Sequence, residues 1–534
     1  MNKFIFLNIL IVISFSCSNK NNNEKEQFMN YKLTWGMISN YLEGESSSRA
    51  AFTIHNQTNQ NLGNKGWAIF YSQSPRRVTN HSNSKASVNQ INGDWYSITP
   101  NESFLLSPGD QITIQYDMSS SIIKETDAPL YPYLVLYDKD GNEKDISKIT
   151  DYSILPFDKP EKINRGKNDP VPIPNSKNRY QANNSLSLLD EDELHKIIPT
   201  PFKIHANQGS LLINDALQIY YSEDLKSEAN YLREKLYEFT GRKFSILQKD
   251  YKGGKAIVLG TKPISINNVS SEAYVLEISS ESGMMITGSD PAGVFYGIQS
   301  FISLLPINVF QSPQPSIEVS NIYVEDAPRF SYRGQHLDVC RNFFSKKAVF
   351  KILDIMSFYK LNHLQLYLSE DEGWRIEINE LPELAKVGGQ RQHTSKESSA
   401  LHPSYGSGPN AYEENTYGSG YYSRKDYIDI LHYAAERHIT VIPTINFPGH
   451  ARAAIKAMEA RYEYYMEKGQ KDLANEYRLI DPNEKSKYYS AQGYNDNVVN
   501  VARESVYKFY RTVIKSISEL YNEAGVPFTF FHTG

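Results

Sequence analysis

Cysteine is nearly missing from this chain: Cys17 and Cys340 are the only two in 534 residues. That excludes a disulfide-dense scaffold. Neither sign of charge is in excess, with 56 Lys and Arg against 61 Asp and Glu and a net charge of −5. With no basic stripe and no acidic tail, no nucleic-acid partner is expected. Past the first residues no apolar run is long enough to cross a bilayer. The spacing shows no His/Cys/Asp pattern for a metal, no nucleophile elbow and no phosphate-cradling glycine loop, so neither metal nor cofactor is expected.

The remaining composition, 40% hydrophobic and 22% charged, is that of a globular protein. The length suggests three or four domains at roughly 100–200 residues each. Tyrosine is abundant, with 38 residues. Either they simply pack strands and interfaces, the favoured reading, or some of the rings stack on the apolar faces of sugars. The N-terminus, "MNKFIFLNILIVISFSC", has one Lys3, an apolar stretch from Phe4 to Phe15 and small Ser16 before Cys17. It is too short for a comfortable span and fits the core of a secretory signal. A cysteine at the cleavage point resembles the bacterial lipoprotein signal, with residues 1–17 as leader and Cys17 as the lipidated residue. Residues 18–30, opening "SNKNNNEKEQ", read as a polar tether. The expectation is an exported protein, periplasmic or at the cell surface, anchored to a bacterial membrane. Cys340 then has no intrachain partner, and apolar cores alone hold the fold.

Residues 31–155 alternate apolar and polar positions in short runs such as "RAAFTIHNQ", "GWAIFYSQ", "DQITIQYD" and "YPYLVLYD", punctuated by turn residues. That predicts a β-sandwich. Residues 156–197, rich in Pro, Asn and charge, read as a linker. Residues 198–325 mix strand-like "ALQIYYS", "KAIVLG", "AYVLEISS" and "GMMITGS" with helical "SEANYLREKLYEFTG" and "AGVFYGIQSFISLL", a small α+β domain. From 328 to 534 strands and helices alternate. The strands are "SYRGQHLDV", "HLQLYLS", "ITVIPTINFP" and "FTFFH"; the helices include one capped by Ser345, one with Ser423 and Asp426 at capping-box spacing, and one ending at Gly525. A (β/α)8 barrel needs roughly 250 residues or more. Four units therefore predict the first half of a TIM barrel, cut short.

Chemistry in such barrels sits at the C-terminal ends of the strands. The first strand ends in "LDVCRNFF", placing Asp338 and Arg341 at the mouth, where Arg can fork to neighbouring hydroxyls or simply pair with Asp338 to pin the loop. The second ends in "LSEDEGWRI", where Glu370, Asp371 and Glu372 form either a solvated loop or carboxylates that tune one another. The third ends in "NFPGHARAA", with His450 opening the next helix after a Pro-Gly turn.

"YRGQHLDVCRNFF", "KLNHLQLYLSEDEGWRIEI", "VIPTINFPGHARAAIKAMEAR" and "YNDNVVNVA" through "AGVPFTFFHTG" together resemble the β-N-acetylhexosaminidases of glycoside hydrolase family 20, most closely their bacterial chitobiase-like branch. Residues 198–325 resemble that family's accessory domain, and 31–155 its carbohydrate-binding sandwich. The resemblance implies exo-acting, retaining removal of terminal β-linked N-acetylglucosamine or N-acetylgalactosamine, with the substrate's own acetamide as nucleophile, an exception to the two-carboxylate scheme. It implies that Arg341 binds sugar hydroxyls, with Asp338, Asp371 and His532 also facing the substrate, and that Glu370 and His450 support the acid/base. The family's fourth strand ends His-x-Gly-Gly-Asp-Glu. His532, Thr533 and Gly534 supply its start, so the catalytic Asp-Glu pair is expected just beyond Gly534 and the 534 residues alone are expected to be inactive. Two positions depart from the pattern: Glu370 stands where Asp is usual, and Thr444 where a Glu is expected. The competing expectation is a membrane-tethered glycan-binding protein descended from such an enzyme.

Overall fold

The structure, a computed structural model, describes residues 30–42, 47–81, 85–169, 176–190, 194 and 196–534. Cys17, its leader and nearly all of the tether lie outside the described residues. No helix among the described residues is long and apolar enough to cross a membrane. The chain divides into two compact units.

The first unit is built on two five-stranded sheets. One runs in the order Tyr152–Ile154, Tyr31–Ser39, Ser48–Asn56, Gln111–Met118, Val78–His81; the other Ala86–Asn92, Trp95–Pro100, Trp67–Ser72, Leu130–Tyr137, Glu143–Lys148. The Ser48–Asn56 strand buries every second residue, as its alternation requires. Its core is aromatic: Trp35, Phe52, Tyr71, Tyr96 and Tyr116 are all buried. Three of its polar tips are paired: Trp35 Nε1 donates to Tyr116 Oη at 2.9 Å, Tyr116 Oη donates to Gln73 at 3.2 Å, and Tyr96 Oη donates to the Arg76 carbonyl at 2.7 Å. Residues 403–409 and 489–494 also belong to this unit. Asp94 accepts from Ser404 Oγ and from the Tyr405 amide, each at 2.7 Å.

The second unit holds both the α+β region and the barrel strands. The α+β part is one seven-stranded sheet carrying the helices Lys226–Thr240 and Pro291–Ser303. Gly241, at φ +67, closes the first of these, and the Asp290 side chain caps the second. Two long antiparallel strands, Lys203–Ile213 and Ile317–Asp326, are additions to the sequence reading. Most of Lys203–Ile213 is exposed, so it carries no alternating apolar signal. Buried and half-buried ties join this sheet to the residues that lead into the barrel strands. Lys360 Nζ reaches Tyr274 Oη at 2.9 Å and Asp326 at 3.0 Å, and Arg333 pairs with Glu272 at 2.6 Å.

The barrel strands Gly334–Asp338, His363–Tyr367 and Thr440–Thr444 pair in parallel and in register, which brings their C-terminal ends together. Ser345 caps the Lys346–Phe358 helix, and Ser423 and Asp426 form the expected capping box on Arg424–Ala435. Helix Glu504–Ala524 buries Val506, Phe509, Val513, Ile517 and Leu520 and ends at Gly525 in the left-handed conformation, φ +64. The fourth strand differs from expectation. Phe528–His532 does not form a ladder; pairing begins only at its end, where His532 and Pro443 share a hydrogen bond of 3.0 Å and Ile445 and Phe447 donate to the carbonyls of His532 and Thr533. Upstream, Phe528 packs instead on Tyr521 of the preceding helix, ring centroids 4.9 Å apart. His450 also precedes its helix rather than opening it: the helix starts at Arg452, and His450 sits at φ +51.

Candidate active site

The acid run is not a solvated loop. Ser369–Glu370 and Gly373–Trp374 pair as a tight antiparallel turn, and Glu370, Asp371 and Glu372 are 1%, 0% and 3% exposed. Buried carboxylates need partners. Arg341 supplies one from the first strand: its guanidinium stands 2.5 Å from Glu370, 2.7 Å from Asp338 and 3.2 Å from Glu372. His450 supplies another from beyond the third strand, its Nδ1 3.1 Å from Glu370 and 3.4 Å from Asp371. The site is thus layered, with partly exposed Asp338, Arg341 and His450 lying over three enclosed carboxylates.

Electrostatics follow from that layering. Hydrogen bonds to Asp371 and Glu370 push His450 up to about 10, so it is a cation at neutral pH. Burial, and then the neighbouring Glu370 charge, push Glu372 upward. Burial opposes the Arg341 charge, but Glu372, Glu370 and Asp338 outweigh it and raise the group further. Glu370, Asp371 and His450 offer one ligand atom each within 4.8 Å, a grouping that linear spacing does not reveal. In this cluster the carboxylate charge is met by Arg341 and by the protonated imidazole.

Of the expected sugar-facing residues, Asp338 and Arg341 meet at the mouth. Asp371 does not face it. It is enclosed, accepting from the Arg452 amide at 3.2 Å and from Asn497 Nδ2 at 2.9 Å. His532 is exposed beside Thr444, and its Nδ1 accepts from the Gly534 amide at 3.0 Å; among the described residues no hydrogen bond ties its ring to the carboxylate cluster. Thr444 is fully buried, and its hydroxyl accepts from Gln365 Nε2 at 3.1 Å.

Two arginines that strand-end reasoning misses underlie the site. Arg375 and Arg391 are both fully buried. Arg375 donates to the carbonyls of Val339, Cys340, Gly389, Gly418 and Gly420, at 2.7–3.2 Å. It can fold back because residue 373 is glycine: a Cβ there would lie 2.6 Å from Arg375 Cζ. The signal available in sequence was the proximity of "GWR" to the acid run. Arg391 and Asn497 lie in irregular segments with no periodicity to single them out.

A two-sheet sandwich, an α+β module and parallel β/α units make a multidomain architecture whose charged groups gather at the ends of the barrel strands. Residues 330–534 match the family model "Glycosyl hydrolase family 20, catalytic domain", residues 194–327 match "Glycosyl hydrolase family 20, domain 2", and residues 28–174 match a domain model named for carbohydrate binding. The chain belongs to glycoside hydrolase family 20. It is 34% identical to a β-hexosaminidase of Vibrio vulnificus across 95% of this chain and 59% of that protein. It is 33% identical to an N,N'-diacetylchitobiase of Vibrio harveyi across 92% of this chain and 54% of that protein. The chain thus spans less than two thirds of the length of these relatives. The crystal structure of a family-20 exo-β-N-acetylglucosaminidase from Vibrio harveyi with N-acetylglucosamine shares the fold, with a TM-score of 0.73 at 24% identity over 94% of this chain and 67% of that one.

Proposed function

We propose that this chain carries the sugar-recognising site of an exo-acting β-N-acetylhexosaminidase that removes terminal β-linked N-acetylglucosamine or N-acetylgalactosamine from oligosaccharides or glycans. The observation that carries the reading is Arg341 held among Asp338, Glu370 and Glu372, with charged His450 on the far side of Glu370. A guanidinium so fixed presents a rigid donor fork to neighbouring hydroxyls without reorganising on binding. In this reading the reaction is retaining and substrate-assisted: the acetamide oxygen attacks the anomeric carbon, and an Asp orients the acetamide. A Glu protonates the leaving oxygen and then deprotonates water. The family pattern assigns that pair to positions directly following His532-Thr533-Gly534, with His450 and Glu370 supporting the Glu. General acid–base catalysis contributes roughly 10²–10⁴-fold. N-acetylglucosamine is expected to bind at the Arg341 cluster when titrated calorimetrically, and failure to bind the sugar overturns the sugar site.

We further propose export and lipid anchoring through Cys17, on the N-terminal pattern alone. Radiolabelled palmitate should enter the wild-type protein and not C17S; equal labelling refutes it.

A further inference from the structure

Arg391 connects the irregular segment before the Arg424–Ala435 helix to the mouth of the site. Its Nε donates to the Glu372 carbonyl at 2.6 Å, and its Nη2 donates to the carbonyls of Cys340 and Arg341 at 2.7 Å each. Its own amide donates to Ser419 Oγ at 3.0 Å. The three carbonyls lie at the ends of two neighbouring strands. Two of them belong to Arg341 and Glu372, whose side chains stand 3.2 Å apart in the ion cluster. The buried neighbour Arg375 takes the carbonyls of Val339 and Cys340 and three from Gly389, Gly418 and Gly420, sharing only that of Cys340, so of the two only Arg391 grips the main chain of the cluster's own members. A planar fork fixes the angles between its acceptors as well as their distances, and a lysine in its place would leave buried carbonyls unmet.

We propose that Arg391 is a positioning residue for sugar recognition. By clamping the carbonyls of Arg341 and Glu372 it sets where the Arg341 guanidinium stands among Asp338, Glu370 and Glu372, and so makes the 389–420 segment part of the specificity apparatus. The proposal rests on the reading of Arg341 as the hydroxyl-binding group.

A double-mutant cycle on the 534-residue chain tests it, with N-acetylglucosamine titrated calorimetrically and the fold of each variant checked by circular dichroism. R391K keeps the charge and loses the fork. It is expected to weaken sugar binding about ten-fold, the scale of one hydrogen bond to a charged group. R341A/R391K is expected to bind no more weakly than R341A, because Arg391 acts through Arg341. Unchanged affinity in R391K, or losses that add in the double variant, overturn the proposal. If R391K does not fold, S419A, which frees the Arg391 amide, is expected to show a smaller loss that also vanishes in the R341A background; an additive loss there is equally contrary. A second readout needs no sugar. In a crystal structure of R391K the Arg341–Glu370 contact should open beyond 4 Å, and a contact kept at its present 2.5 Å refutes the proposal. Absence of sugar binding by the unsubstituted chain counts against the proposed function, and the crystal comparison then decides the positioning role by itself.

Discussion

His450 holds a left-handed backbone at φ +51 and a ring that two buried carboxylates keep charged. Its folded value, about 10, lies above the ordinary 6.5. Its contribution to stability is therefore complete below about 6.5 and is lost as pH rises through about 10. Labelled-histidine NMR should show one ring titrating near 10, and urea melts of H450Q should lose less stability than wild type between pH 7 and pH 10. A ring titrating near 6.5 contradicts the cluster. Glu370 uses both oxygens: Oε1 meets Arg341 and Tyr367 Oη, while Oε2 meets His450 and the Asp371 amide. E370D, one methylene shorter, cannot keep both sides and should cost about 1.5–3 kcal/mol, the scale of a lost hydrogen bond to a charged group, as measured by urea denaturation; a neutral change would refute the two-sided role. At this scale the sequence exposed what lies at strand ends, namely Asp338, Arg341, Glu370 and His450. It could not show that Asp371 turns inward, because its partners Arg452 and Asn497 arrive from distant segments.

Elements were legible where local chemistry decides them. Ser345, Gly241, Gly525 and the Ser423–Asp426 box each mark a helix end by a rule that needs no tertiary context. In the box, Ser423 Oγ accepts from the Asp426 amide at 3.1 Å. S423A should therefore destabilise the second unit by about 1 kcal/mol, read as an earlier urea midpoint at unchanged slope; no shift would mean that packing alone fixes this terminus. The exposed Lys203–Ile213 strand was not legible because its pairing with Ile317–Asp326 is decided by backbone bonds rather than by apolar alternation. The final strand misled for a related reason. Phe528–Phe531 has the aromatic content of a strand, yet Phe528 packs on the helix before it, Phe530 lies exposed, and only His532 and Thr533 join the ladder.

Across the whole molecule, the order sandwich, α+β sheet, barrel strands follows from changes in hydrophobic period. The grouping of the last two into one unit does not, because ties such as Lys360 to Tyr274 and Asp326 carry no periodic trace. The parallel sheet has an unpaired outer edge on Gly334–Asp338 among the described residues, and Phe330 and Phe530 are exposed, at 67% and 48%. Unprotected edges and apolar side chains promote association. The 534-residue chain should therefore bind anilinonaphthalene sulfonate and self-associate with rising concentration in the ultracentrifuge; a dye-silent, concentration-independent monomer would show the edge to be protected. The scarce thiol offers a way to watch the mouth itself. Cys340 is fully buried and donates to the Tyr367 carbonyl at 3.1 Å, and that burial pushes its thiol pKa well above the ordinary value, keeping it protonated. A maleimide can reach it only when the first strand's tip lets go, so alkylation of this one sulfur becomes a clock for breathing of the charged cluster, ticking faster in any variant that loosens the arginine grip.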